Sequence, residues 1–316
     1  MITRIATPES KSLAEILQKD LQRELFPAHL ELVPQLNELY ELQLAFYESR
    51  ILTDAEVVKQ GAYFAQVNGQ PTRHYLICKG ESLRLAQYSS SRLKAFFKTN
   101  QFKTGYATHG LFPYRGKFHP QMVKGILNVM GLKPGETVLD PMMGSGTTLI
   151  EATLMGIDSI GIDTSPFCKF MTQAKLDGLR VPLAPVEWAL HNAEVVFEHF
   201  ARTAGHPNHK AKPSQVKLHL ERGGKRNASL PKDLAEVLAI DSVRNYLLLA
   251  FLDSAGYSVR SQRRSPFDQF RAILERYLFV AKKIQGVMEG MESEFGKGTA
   301  LEGDARSLSI KDNCVE

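Results

Sequence analysis

One segment, Thr137-Val138-Leu139-Asp140-Pro141-Met142-Met143-Gly144-Ser145-Gly146-Thr147-Thr148, constrains the fold more than any other part of the chain. A short buried-strand pattern ends in an acid, a turn with two glycines follows, and a helical pattern over 147–155 comes directly after it. Glycine lets the backbone of such a turn approach a ligand without a Cβ collision, and the start of the next helix presents free N–H groups. Ser159-Ile160-Gly161-Ile162 reads as a second strand and 165–176 as a second helix. Strand, glycine turn, helix and strand within about 30 residues make the βαβ unit of a parallel, doubly wound sheet.

The flanking text divides around this unit. Residues 11–50 read as helical, with Leu13, Ile16, Leu17, Leu21 and Leu25 at three- and four-residue spacing and a second run from Leu30, interrupted at Pro34. Between Tyr63 and Cys78 the pattern shifts toward strands around Asn68-Gly69, a strong hairpin pair. The spacing predicts a separate N-terminal α+β module over 1–105, a βαβ ligand-binding half over 106–180, a mostly helical insertion over 181–298, and a return to the sheet over 299–316. Within the insertion, helices are expected around 186–203 and 231–256. A longer one starts at Ser265-Pro266 with Asp268 at its third position, a capping arrangement. Its stripe of Phe270, Ile273, Leu274, Tyr277, Leu278, Ala281, Ile284, Met288 and Met291 reads as core. Ala300-Leu301-Glu302-Gly303-Asp304 reads as the sheet resuming.

Composition narrows the class. With 316 residues, 43% hydrophobic and 23% charged, the chain matches ordinary globular proteins. No apolar run approaches the roughly 20 residues that span a bilayer, and the N-terminus lacks a charged-then-apolar signal pattern. Three cysteines, Cys78, Cys168 and Cys314, are odd in number and widely spaced, which argues against a disulfide framework or a zinc site. A reducing cytoplasm with no membrane and no metal is the expectation. A net charge of +5 and a pI near 9.0 permit a polyanionic partner.

The glycine turn has three chemical readings. A phosphate-cradling loop needs a lysine after the last glycine, and none follows Gly146. A nicotinamide-binding turn wants a third glycine where Leu149 stands. Asp140, an acid at the strand tip, repels pyrophosphate and suits a ligand with cationic groups, such as the sulfonium and ammonium of S-adenosylmethionine. Asp163 ends the second strand 17 residues after Gly146. A carboxylate there accepts the ribose hydroxyls of an adenosine-bearing cofactor, although an acid before Thr-Ser-Pro also reads as a helix cap.

Together these motifs resemble a known family. VLDPMMGSGTTLIEA (138–152), followed by GIDTSP (161–166), is similar to the cofactor half of S-adenosylmethionine-dependent DNA amino-methyltransferases, which modify adenine N6 or cytosine N4. HGLFPYRGKFHPQM (109–122), LLLAFLDSAGYS (247–258) and EGDARSLSIKDNCVE (302–316) resemble one bacterial and archaeal branch of them. The resemblance implies a Rossmann-like class I methyltransferase sheet. It implies that Asp140, Pro141, Gly144, Ser145, Gly146 and Thr147 wrap the cofactor, that Asp163 binds ribose, and that Asp304 contacts the adenine amino group. Phe118-His119-Pro120 matches the segment that closes over the methionine end; His119 reads as a cofactor residue or as a packed histidine. Arg115 and Lys117 read as phosphate contacts or as solvated charges.

The family's catalytic loop, [Asp/Asn/Ser]-Pro-Pro-[Tyr/Phe/Trp], has a polar group that accepts the amine's hydrogens and an aromatic ring that stacks on a flipped base. The chain has 15 prolines and no Pro-Pro pair. Pro113-Tyr114 is the nearest echo, but Leu111-Phe112 precedes it and supplies no polar acceptor. The expectation is therefore a fragment or subunit that holds the cofactor, with the catalytic residues elsewhere and a second chain a possible source of the loop. An RNA methyltransferase acting on guanine N2 and a non-catalytic methyltransferase-like binding subunit are the alternatives.

Asp163 and Asp304 lie 141 residues apart, so roughly 100 residues are inserted relative to the plain form of the family. Lys225 and Arg226 in the basic stretch 206–227, with Arg263 and Arg264 further on, are the candidate contacts to duplex DNA; a solvated loop reads equally well.

Overall fold

The computed structural model describes residues 24–79 apart from Gln35 and Asn37, then 104–203, 232–260 and 265–308, together with Ile310 and Val315. Among them no helix is long and apolar enough to cross a membrane.

The N-terminal part is a small antiparallel sheet of β1 (Leu30–Leu32), β2 (Phe64–Val67) and β3 (Gln70–Pro71), with α1 (Leu39–Ile51), α2 (Asp54–Gln60) and α3 (Arg73–Cys78) against it. The hairpin falls where the sequence places it. Asn68 at φ 50° and Gly69 at φ 79° are both left-handed, the turn whose twist suits a two-residue hairpin. Two local readings are corrected. Leu30–Leu32 is a strand rather than helix: it pairs with β2, Leu30 opposite Val67, and tertiary pairing outweighs a helical period carried by so few residues. Residues 73–78 are helix rather than strand, because the Thr72 hydroxyl accepts the Tyr75 N–H at 3.1 Å and caps a new turn.

Phe26, Leu42, Ala45, Val57, Val58 and Phe64 form the core of this part. Buried polar groups join it to α4 (Pro120–Val129). The Glu48 carboxylate accepts the Ala62 N–H at 3.0 Å and the Asn128 side-chain amide at 2.5 Å, and Gln121 donates to the Ala62 carbonyl at 2.9 Å.

The second sheet is parallel throughout. β4 (Thr137–Asp140) leads through α5 (Thr147–Met155) to β5 (Asp158–Asp163), and β6 (Gly298–Glu302) pairs with β5 on the side away from β4. α5 occupies the span 147–155 read from the sequence, and β6 lies within the stretch where the sheet resumes. Between β5 and β6 run α6 (Pro166–Arg180), α7 (Leu183–His191), α8 (Ala193–Thr203), α9 (Lys232–Ala239), α10 (Asp241–Arg260) and α11 (Pro266–Gly290). The single helix expected near 186–203 is two, interrupted at Asn192. α11 begins as its sequence requires: Pro266 opens it and the Ser265 hydroxyl accepts the Asp268 N–H at 3.1 Å. Phe270, Ile273, Leu274, Tyr277, Leu278, Ala281, Ile284 and Met288 are all buried, and Met291 is partly buried against the N-terminal core.

α10 and α11 are pinned to each other by a buried ion pair, Arg276 Nη2 to Asp253 Oδ2 at 2.6 Å. Removing one partner of such a pair strands a charge out of water, which is why it marks a fixed register.

Candidate cofactor site

The site lies at the carboxyl edge of the parallel sheet, where β4 and β5 end beside each other with Asp140 opposite Gly161. The Asp140 carboxylate accepts the Met142 N–H at 3.1 Å, which bends the chain out of the strand and leaves the acid half-buried at the tip. The turn then doubles back. Met143 N–H donates to the Ile162 carbonyl at 3.0 Å and Gly146 N–H to the Met143 carbonyl at 2.8 Å.

Both glycines are required by this path. Gly144 sits at φ 52° and Gly146 at φ 76°, left-handed angles that a side chain disfavours. A Cβ on Gly146 would lie 2.4 Å from Thr172 Cγ2, and the Thr172 hydroxyl donates to the Gly144 carbonyl at 3.1 Å. Thr172, on α6, is thus the support under the turn. Ser145 and Thr147 are buried and Pro141 is half-buried.

Asp163 does two jobs at once. One carboxylate oxygen accepts the Gly144 N–H at 3.0 Å, and the other accepts the Ser165 N–H at 2.8 Å as α6 begins. The cap reading of this acid is corrected: the N-cap of α6 is Ser165, whose hydroxyl accepts the Cys168 N–H at 3.3 Å, and Asp163 instead ties the chain before the helix to the glycine turn. Its backbone carbonyl also takes the Gly303 N–H at 3.0 Å, which draws the end of β6 to the same edge. Asp304 follows, and Arg306 holds its carboxylate with Nε at 3.0 Å and Nη2 at 2.5 Å. The guanidinium keeps the Asp304 carboxyl below its usual range.

Other predicted residues are placed differently. His119 precedes α4 as its N-cap and lies within electrostatic reach of buried His74, while Phe118 is 64% exposed. Lys117 donates to the carbonyls of Thr104 and His109 at 3.0 Å each, so its ammonium braces the 104–117 loop. Lys225, Arg226, Arg263 and Arg264 lie outside the described residues.

Two features escaped the sequence reading. Tyr114 lies over the turn: a Cβ on Gly144 would be 3.5 Å from its Cε1 and its hydroxyl oxygen. Burial, then Cys168, then the charge of Asp163 push its phenol up. Glu151, on the inward face of α5, is fully buried and accepts the Tyr106 hydroxyl at 2.7 Å; its partner at 2.6 Å is His109 Nε2. Burial acts to raise the Glu151 carboxyl most, but His109, Lys124 and Tyr106 together bring it below its ordinary value. No local motif announces either, since both depend on where distant segments meet. In the sequence Tyr114 stood out only within the 109–122 resemblance and in the Pro113-Tyr114 echo of the catalytic loop, neither of which places it over the glycine turn.

A parallel sheet whose carboxyl edge carries a glycine turn flanked by two carboxylates, with the Cβ position of Gly146 already filled by Thr172, places the described residues among α/β domains with a strand–turn–helix edge of the doubly wound kind. The comparisons narrow it. Residues 111–238 match the UPF0020 family model, described as an RMKL-like methyltransferase domain.

The chain is also similar to Type II methyltransferases. It is 50% identical to M.MjaII of Methanocaldococcus jannaschii over 68 residues, 22% of this chain and 13% of that protein. It is 39% identical to M.BsoBI of Geobacillus stearothermophilus over 67 residues, 21% of this chain and 13% of that one. A tRNA (guanine(10)-N2)-dimethyltransferase of Methanothermobacter thermautotrophicus is 42% identical over 52 residues, 16% of each chain. The aligned stretches thus cover under a fifth of each of these relatives. No solved structure matches. The resemblance to S-adenosylmethionine-dependent DNA methyltransferases read from the motifs stands on these findings.

Proposed function

We propose that the chain holds S-adenosylmethionine at the carboxyl edge of its parallel sheet for methyl transfer to an exocyclic amine of a DNA base, adenine N6 or cytosine N4. The observation that carries this reading is the Asp163 carboxylate on the Gly144 N–H at 3.0 Å, which joins the ribose-type acid to the glycine turn. When bound, the cofactor supplies a methyl group on a sulfonium. Asp163 would hold the sugar hydroxyls, Asp140 and the 144–147 turn the amino-acid portion, and Asp304 the adenine end once Arg306 yields. Two carboxylates facing one turn favour the cationic ligand over a pyrophosphate.

The similarity to M.MjaII and M.BsoBI supports DNA as the substrate. The 316 residues contain no Pro-Pro pair, so the amine-accepting loop implied by the resemblance has to come from outside them, a second chain being one source. The purified chain is expected to bind S-adenosylmethionine by calorimetry and to transfer no methyl group to duplex DNA by itself. Robust methylation of duplex DNA by these residues alone would overturn the assignment of the loop to another segment; absence of binding would overturn the cofactor assignment. A second reading, methylation of tRNA guanine N2, is favoured by the match to the archaeal tRNA enzyme. A transfer assay comparing duplex DNA with tRNA, run with a loop-bearing segment added, separates the two.

A further inference from the structure

We infer that Tyr114 forms one wall of the cofactor pocket and that Asp253, on helix α10 between β5 and β6, fixes it there. This rests on the reading that the glycine turn holds S-adenosylmethionine, and it gives the helices outside the sheet a part in building the site.

The argument starts two residues before the tyrosine. Phe112 adopts φ 52°, an angle that a bulky residue keeps only where its surroundings hold it. The holds are visible. The Phe112 N–H donates to Asp253 Oδ2 at 3.3 Å, and its ring meets Phe167 at the start of α6 edge-on, with centroids 5.1 Å apart. Asp253 is itself buried and fixed by Arg276 of α11 at 2.6 Å. On the other side of the tyrosine, Lys117 ties the loop to the carbonyls of Thr104 and His109. Leu111, just before Phe112, is fully buried.

A loop clamped on both sides delivers the Tyr114 ring to one place, in van der Waals range of a Cβ position on Gly144 and with its hydroxyl 3.9 Å from Cys168 Sγ. A nucleoside held by Asp163 above Gly144 therefore meets this ring. The neighbours are the ribose acid and the first glycine, so the contact falls on the sugar and sulfonium part of the ligand. An aromatic face there gives apolar area and attracts a cation.

The test uses the full chain and S-adenosylhomocysteine. Tyrosine nitration by tetranitromethane is read at each residue by mass spectrometry, with and without ligand, beside a calorimetric titration. Ligand is expected to slow nitration of Tyr114 and to leave exposed Tyr47 unchanged. Tyr114→Ala is expected to weaken binding by at least about tenfold, and Tyr114→Phe by no more than about threefold. Asp253→Asn, with its melting followed in parallel, is expected to speed nitration of Tyr114 and to weaken binding in protein that is still folded. If that variant fails to fold, Phe112→Gly, which takes the left-handed angle without strain, is expected to do the same. Binding to the wild-type chain with no protection of Tyr114 and no loss in Tyr114→Ala overturns this inference alone. No binding to the wild-type chain overturns the cofactor reading and this inference with it.

Discussion

The Asp163 carboxylate and the Gly144 N–H lie 3.0 Å apart across the ends of two neighbouring strands, so the turn after β4 and the tip of β5 form one floor. Neither element alone makes a ligand site. The turn supplies N–H groups and room, the second strand supplies the acid, and the parallel register with Asp140 opposite Gly161 brings them level.

Asp163→Ala is therefore expected to weaken S-adenosylmethionine binding by more than about tenfold, about 1.4 kcal/mol. The substitution removes the proposed sugar acceptor and also leaves the Gly144 and Ser165 N–H groups without their carboxylate. Hydrogen bonds to a charged acceptor are worth about 1.5–3 kcal/mol, which sets the scale. An unchanged Kd by calorimetry would remove Asp163 from the site.

Gly146→Ala is expected to destabilise the fold by about 2–4 kcal/mol, the sum of a left-handed angle and an overpacked contact. The new Cβ would overlap Thr172 Cγ2 at 2.4 Å. Thr172→Ser lacks that methyl, so the double variant is expected to melt above Gly146→Ala alone, a departure from additivity that contacting residues show. Equal melting temperatures for the single and double variants would mean that the contact is not the cause.

Lys175, on α6, is buried, and burial, followed by the charge of Lys117, lowers its ammonium to about 7 from an ordinary 10.5. The sign follows from proton counting. Below pH 7 both folded and unfolded chains carry this proton, and the folded state bears the full cost of a buried charge. Between pH 7 and 10.5 the folded lysine is neutral while the unfolded one remains charged, so stability rises with pH. Lys175→Met is expected to raise stability at pH 7 by a few kcal/mol, on the order of the shift at about 1.4 kcal/mol per unit, and to flatten the rise toward pH 10. Denaturant titrations at several pH values measure it; parallel curves for the two proteins would contradict it.

Reversing Lys225 and Arg226 to Glu is expected to weaken duplex DNA binding across sequences and to reduce the slope of log affinity against log salt, because each phosphate contact releases counterions. A salt slope equal to that of the unaltered chain would take this basic stretch out of the DNA interface.

The legible parts of the molecule are those whose chemistry is local. Residues 147–155 are helical as read, the cap at Ser265 forms as its sequence requires, and Asn68-Gly69 makes its hairpin, because propensity, capping and turn residues agree in each case. The misread parts are decided at a distance. Leu30–Leu32 looks helical until β2 pairs with it, and residues 73–78 look like strand until Thr72 caps them. The same division holds at the site. Asp140, Gly144, Gly146 and Asp163 stood out by spacing, and the fold gathers them at one edge. Glu151 between Tyr106 and His109, and Tyr114 over Gly144, depend on contacts between distant segments that no period in the sequence encodes, whereas Arg306 on Asp304 is a local pair that the reading passed over.

The most direct test is a crystal structure of the chain soaked with S-adenosylhomocysteine. The account predicts the nucleoside at the carboxyl edge of β4 and β5, its ribose hydroxyls on Asp163 and its amino-acid end along Asp140 and the 144–147 turn. An empty edge at saturating ligand, or a nucleotide phosphate seated on the glycine turn instead, would contradict it.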